Sequence, residues 1–218
     1  MIRFVHRAII VGCALLAASF AIGQQPPKEP GPFRQSDLIE LDPTIKLDIR
    51  YATKNNFLGR PVYKQARAFL QRPAAEALAR VSQALRAEGF GLLVFDGYRP
   101  WRVTKTLWDN TPNEKKMFVA DPDIGSRHNR GCAVDLTLFD LKTGQPAKMP
   151  SEFDEMTERS YADYTGSTTE ATRMRDLLAS AMTAEGFRIF ATEWWHYDYK
   201  DWKEYPILDL EFTEIRGK

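Results

Sequence analysis

The sequence predicts an α+β fold: a single domain with a central, largely antiparallel sheet flanked by helices. Three observations lead there. Two stretches, 45–51 and 131–138, alternate apolar and polar residues with the period of a half-buried strand. Two others, near 73–88 and 168–185, carry apolar residues at helical spacing. The two kinds follow one another in irregular order, without the regular βαβ alternation that would indicate a parallel sheet.

Taken in order, Ile45, Leu47, Ile49 and Tyr51 alternate with Lys46, Asp48 and Arg50, which predicts a strand over 45–51. Pro73 opens a helix with Leu78, Val81 and Leu85 on one face, and Gly89 closes it. Gly91 to Phe95 reads as a short buried strand running into the turn Asp96-Gly97-Tyr98-Arg99-Pro100, and a second helix follows from Trp101 to about Asp109. Residues 110–125 read as loop with a short helical piece. From Gly131 the pattern has period two, with Ala133, Asp135 and Thr137 on one face and Cys132, Val134, Leu136 and Leu138 on the other. Lys142-Thr143-Gly144 is turn-like. Ser167 and Glu170 are spaced as a capping box before a helix carrying Met174, Leu177, Leu178, Ala181 and Met182, which Gly186 ends. The aromatic stretch 187–199 reads as one or two strands.

The chain has 218 residues, enough for a targeting segment and one domain. Residues 1–23 read as a cleavable secretory signal: Arg3 and Arg7 precede an apolar run from Ala8 to Ile22, and Ala21 and Gly23 are spaced as at a signal-peptidase site. An uncleaved anchor is the first alternative, although the run is short for a span of about 20 residues. Lipidation at Cys13 is the second. Residues 24–35 hold four prolines within 24–32 and read as a linker, leaving 36–218 as the folded domain. The expected location is therefore exported, periplasmic or secreted, without stable membrane association once the signal is removed. Thirty basic against 29 acidic side chains give a net charge of +1, which argues against a nucleic-acid partner. Without the signal Cys132 is the only thiol, so no intramolecular disulfide forms, and His128 and His196 are the only histidines.

Those two histidines each have a carboxylate close by in sequence, Asp135 and Glu193. Two neutral imidazoles and one carboxylate suit a catalytic zinc, since three protein ligands leave a fourth position for water or substrate. A nearby carboxylate that does not bind the metal commonly acts as base. The spacing is not that of a His-Glu-x-x-His helix. Asp135 lies inside a predicted strand, His128 in the loop before it, and on a regular strand Glu193 and His196 would face opposite ways. Each residue alone also fits a structural role: a capped histidine, a hydrogen-bonded buried aspartate, a surface glutamate. Arg99, after a buried strand, could stabilise an oxyanion or simply pair with Asp96. Cys132 has the wrong strand parity to join Asp135 and reads as a small buried hydrophobe.

The run Ser126-Arg127-His128-Asn129-Arg130-Gly131-Cys132-Ala133-Val134-Asp135-Leu136-Thr137-Leu138 closely resembles a signature of the VanX-type D-alanyl-D-alanine dipeptidases, and Glu193-Trp194-Trp195-His196 resembles a second. Asp48-Ile49-Arg50-Tyr51-Ala52-Thr53 with Asn56-Phe57, and Asp96-Gly97-Tyr98-Arg99-Pro100, resemble two further blocks, so that the likeness runs from about 37 to 212. The resemblance implies one zinc ion per chain held by His128, Asp135 and His196. It further implies Glu193 as general base, Arg99 as the arginine that stabilises the transition state, and Ser126 as a substrate contact. Asp154 would hold the substrate's free amino group, and Tyr51 lies in a block that borders the substrate. The implied substrate is a small dipeptide; nothing in the sequence fixes the oligomeric state. A D,D-carboxypeptidase acting on wall peptides, or a cell-wall-binding module that has lost catalysis, are the rival readings.

Overall fold

The computed structural model describes residues 35–215. The signal-like segment 1–23, and with it Cys13, lies outside the described residues, as does the proline-rich stretch up to 34.

A five-stranded sheet forms the centre, in the order β2-β4-β5-β7-β6. Its strands are β2 (Lys46–Leu47), β4 (Phe90–Asp96), β5 (Ala133–Asp140), β6 (Phe187–Phe190) and β7 (Glu193–Tyr199). Only the short edge strand β2 runs parallel to its neighbour; the other three pairings are antiparallel. A separate two-stranded ribbon joins β1 (Gln35–Asp37) to β3 (Phe69–Gln71), and a single helical turn, α1 (Leu38–Leu41), follows β1. The ribbon was not anticipated from the sequence, because three-residue strands carry no periodicity to read.

Helices α2 (Arg72–Ala87) and α4 (Thr169–Ala184) pack against one another and against the sheet. α2 buries Ala74, Leu78, Val81 and Leu85, the spacing of a single helix face, with Pro73 in its first turn where a missing N–H is harmless. α4 buries Met174, Leu178 and Met182 in the same way. Facing them, Val134, Leu136 and Leu138 of β5 are fully buried. The opposite face of β5 presents Ala133, Asp135 and Thr137, and these are buried too. Helix α3 (Trp101–Asp109) stands directly after β4.

Two expectations need correction. The segment 45–51 has the alternating burial expected of a strand, but its ladder stops at Leu47. The amide of Asp48 still donates to Val94 O, after which the chain turns through the 3-10 turn Arg50–Ala52. The carbonyl of Tyr51 is claimed there by the amides of Val62 and Tyr63. The cap of α4 is Thr168, not Ser167: its hydroxyl accepts from Ala171 N at 3.2 Å. The two hydroxyls offer the same chemistry one residue apart.

Candidate active site

The sheet register builds the centre of the site. Asp135 on β5 stands opposite His196 on β7, and also opposite Asp96 on β4, so three functional side chains form one row across three strands. Directly paired residues on neighbouring strands have Cβ atoms within about 5.5 Å, close enough for side chains to meet. His128 arrives from the loop before β5. There a 3-10 turn, His128–Arg130, is ended by Gly131 at φ 67°, a conformation that favours glycine. The buried Asn129 ties this loop down: its Nδ2 donates to Arg99 O and to Thr104 Oγ1, and its Oδ1 accepts from Ser126 N.

His128 Nε2, His196 Nδ1 and Asp135 Oδ1 meet in a small triangle. The two ring nitrogens are 3.1 Å apart, and they lie 3.3 and 3.0 Å from the carboxylate oxygen. Each outer ring nitrogen faces an acceptor. His128 Nδ1 is 2.7 Å from Gly97 O, and His196 Nε2 is 2.9 Å from Asp198 Oδ1. A carbonyl and a carboxylate can only accept, so these contacts favour, for each neutral ring, the tautomer with its N–H on the outside. The inner nitrogens then present lone pairs to each other and to Asp135 Oδ1, a buried atom without a hydrogen-bond donor. Three acceptors in contact repel unless a cation or extra protons sit among them. Zinc at 2.0–2.1 Å from each of three tetrahedral ligands would place them about 3.3 Å apart, so the donor set fits zinc in type, number and spacing. Among the described residues this is the one cluster of His, Cys, Asp or Glu side chains with such geometry.

Glu193 comes to the same place through an irregularity. The register of β6 and β7 shifts between Ile189 and Phe190, so that Phe190 pairs with Glu193 while Ile189 pairs with Tyr197. The surplus residues in β7 break the strict alternation, and Glu193 Oε2 lies 3.7 Å from His196 Nδ1. That resolves the parity conflict the sequence posed. Burial pushes the Glu193 carboxyl up to about 8, with the charges of Asp135 and Asp154 adding to the effect against the opposing pull of His196. Asp135 goes the other way: burial opposes its ionisation, but the two imidazoles override it and hold the group well below the usual range.

Arg99 makes the pairing with Asp96 that the sequence left open. Its Nε and Nη2 donate to Asp96 Oδ2 at 2.9 and 2.8 Å, and Nη2 lies 3.7 Å from Asp135 Oδ2. It also lines the cleft with Glu193 and the three candidate ligands. Tyr63 donates to the other oxygen of Asp96 at 2.8 Å. Gly97 makes this turn possible, since a Cβ there would stand 2.8 Å from Phe69 O.

The cleft has a volume of about 110 Å³ and is also lined by Tyr51, Ser126 and Asp154. Tyr51 OH donates to Asp154 Oδ2 at 2.9 Å. Asp154 is the one non-glycine residue with positive φ (59°) among the described residues, a strained conformation located at the cleft wall. Burial, with help from the charge of Asp135, pushes its carboxyl up to about 7. Ser126 Oγ accepts from His128 N at 3.2 Å, which leaves its own proton for another acceptor. All eight residues singled out from the sequence therefore border one cleft. Neither Asn129 nor Asp198 was singled out by reasoning from the sequence. Asp198 could have been found only as the residue two positions beyond His196, hence on its side of the strand.

A sequence profile of peptidase family M15, described as D-ala-D-ala dipeptidase, matches residues 34–215. The chain belongs to the D-alanyl-D-alanine dipeptidase family. It is 37% identical over 177 residues to a D-alanyl-D-alanine dipeptidase of Escherichia coli, covering 81% of this chain and 90% of that one. It is 36% identical over 196 residues to one from Enterococcus faecium, covering 80% and 95%. A solved structure of the vancomycin resistance D,D-dipeptidase VanXYg with a D-Ala-D-Ala phosphinate analog aligns over 63% of this chain and 53% of that one. Its TM-score is 0.43 and its identity 19%. For this member of the dipeptidase family, Cys132 is a packing residue: it is fully buried, and burial pushes its thiol up to about 12.

Proposed function

We propose that the chain hydrolyses D-alanyl-D-alanine, or a closely similar dipeptide, with one zinc ion held by His128, Asp135 and His196. The triangle of inward-facing donors beside Glu193 carries this reading. The acidic character of the cleft supports it: Asp96, Asp135, Asp154 and Glu193 border or underlie it, against the guanidinium groups of Arg99 and Arg127. A divalent cation and a substrate ammonium would both bring positive charge to this acidic cluster. Zinc bound there supplies Lewis acidity, making water a nucleophile at neutral pH and offsetting oxyanion charge.

The residues divide the remaining work. Glu193 takes a proton from the attacking water and returns it to the leaving amine. Arg99, held in place by Asp96, faces the charge that develops on the scissile carbonyl oxygen. Asp154 receives the substrate's free ammonium, and Tyr51 fixes the carboxylate for that purpose. Ser126 has a hydroxyl proton to offer the peptide. A carboxylate at the cleft wall suits a substrate that ends there in a free ammonium; a wall peptide would need the chain to continue where Asp154 stands.

The test is hydrolysis of a panel of D,D-, L,D- and L,L-dipeptides and a wall pentapeptide ending in D-Ala-D-Ala by zinc-loaded protein. D-Ala-D-Ala cleaved well above the pentapeptide is the expected result. Equal rates on both would promote the carboxypeptidase reading, and no cleavage of any of them the silent wall-binding module.

A further inference from the structure

His196 is held from behind by a carboxylate to which the mechanism above gives no part. Its Nε2–H donates to Asp198 Oδ1 at 2.9 Å. The two residues are i and i+2 on β7, so their side chains leave the same side of the strand. Asp198 lies opposite Ala133 on β5, a residue too small to compete for the space. The second carboxylate oxygen faces Arg127 Nε at 3.5 Å, and the Arg127 guanidinium lies over the Trp202 ring at 4.7 Å. Arg127 sits between Ser126 and His128 and lines the cleft. One carboxylate thus links the strand that carries one imidazole to the loop that carries the other.

A neutral imidazole has one proton and two places to put it. On Nδ1 the proton of His196 would lie 3.0 Å from Asp135 Oδ1, a satisfied hydrogen bond that removes the inward lone pair. On Nε2 it leaves that lone pair free. Only an acceptor behind the ring favours the second arrangement, and Asp198 is that acceptor. Gly97 O does the same for His128 with a backbone group that substitution cannot remove.

We infer that Asp198, steadied by Arg127, is a positioning residue that fixes the tautomer and rotation of His196 so that Nδ1 is presented to a cation. The consequence for metal rests on the zinc reading proposed above, whereas the tautomer itself does not. Outer partners of metal-binding histidines typically govern affinity by 10- to 100-fold. Arg127 is partly exposed (37%), so its share is smaller, up to about fivefold.

The test uses Asp198→Val, which suits a strand, together with Asp198→Asn and Arg127→Ala in the full chain. The first readout is the ¹⁵N imidazole spectrum of the metal-free protein at a pH high enough that both buried rings are neutral, simple because the chain has only His6, His128 and His196. His196 is expected as the Nε2–H tautomer in the wild type and in Asp198→Asn, whose side-chain carbonyl still accepts. In Asp198→Val it is expected to move toward Nδ1–H. The second readout is the zinc Kd by competition with a chromophoric chelator. Asp198→Val should weaken it about 10- to 100-fold, with Asp198→Asn and Arg127→Ala lying between that and wild type. A tautomer unchanged in Asp198→Val, or a Kd within about twofold of wild type in both Asp198 variants, would overturn the inference. If Asp198→Val does not fold, Asp198→Asn decides by the same twofold limit. A purely structural Asp198 would lower the melting temperature of the metal-free protein and leave the tautomer as it was. Wild-type protein that binds no zinc would sink the zinc reading, while a tautomer shift in Asp198→Val would still support the positioning role.

Discussion

At the scale of single residues, the candidate ligands were legible because their types are scarce: outside the signal-like segment the chain has two histidines, and both point into the cleft. Asp198 and Asn129 were not legible, since aspartate and asparagine have many ordinary uses and only contact distances distinguish these two. Glu193→Gln removes the base and no ligand, so it should retain zinc while losing about 100-fold or more in kcat. Metal analysis and kcat measured on the same sample check this, and turnover within about tenfold of wild type would clear Glu193 of the role. Asp154 sets a pH dependence. Its carboxyl is raised to about 7, so it is neutral below that pH and charged above it. An ammonium binds only the charged form, so KM for a free dipeptide should fall as pH rises through about 7. Asp154→Asn should lose that limb of the KM profile. For N-acetyl-D-Ala-D-Ala the wild type should lose roughly a hundredfold to several thousandfold in kcat/KM, since a buried carboxylate without its partner costs about 3–5 kcal/mol. Comparable rates on the free and acetylated substrates would remove Asp154 from the substrate ammonium.

Among the elements, α3 was readable to the residue because Pro100 marks its start and its apolar face is periodic. Segment 45–51 misled because alternating burial does not require a ladder. Ile45, Ile49 and Tyr51 are buried, yet only Lys46 and Leu47 pair with β4. Glu193 was the hardest to place, since its position depends on a register shift in β7 that leaves no periodic trace. The β4–α3 turn gives a sharp test of how tightly the elements hold the site. Gly97→Ala would set a Cβ 2.8 Å from Phe69 O, so the turn carrying Arg99 must move. Crowding of this kind costs about 1–3 kcal/mol. For a domain this size that is roughly 2–4 °C of Tm per kcal/mol. Thermal melting of the variant measures it, with a fall in kcat expected alongside; an unchanged Tm would show that the ribbon β1–β3 yields freely.

For the molecule as a whole, the α+β class and the largely antiparallel sheet followed from the sequence, but the strand order did not. It is the order β4-β5-β7 that sets Asp96, Asp135 and His196 in one row, and neighbours on that row are 39 and 61 residues apart in the chain. Among the described residues no helix is long and apolar enough to cross a membrane. We propose that the signal-like segment directs export with cleavage near Gly23. Mass spectrometry of the native protein should then find a chain beginning near Gln24, whereas an intact Met1 terminus would refute cleavage. The zinc-dependent hydrolysis itself is tested most directly by titrating metal-free protein with zinc while following D-Ala-D-Ala cleavage. Activity should be absent at the start, rise linearly and level off at one equivalent per chain. Full activity without zinc, or no activity at any zinc content, would contradict the assignment of His128, Asp135 and His196 to a catalytic metal.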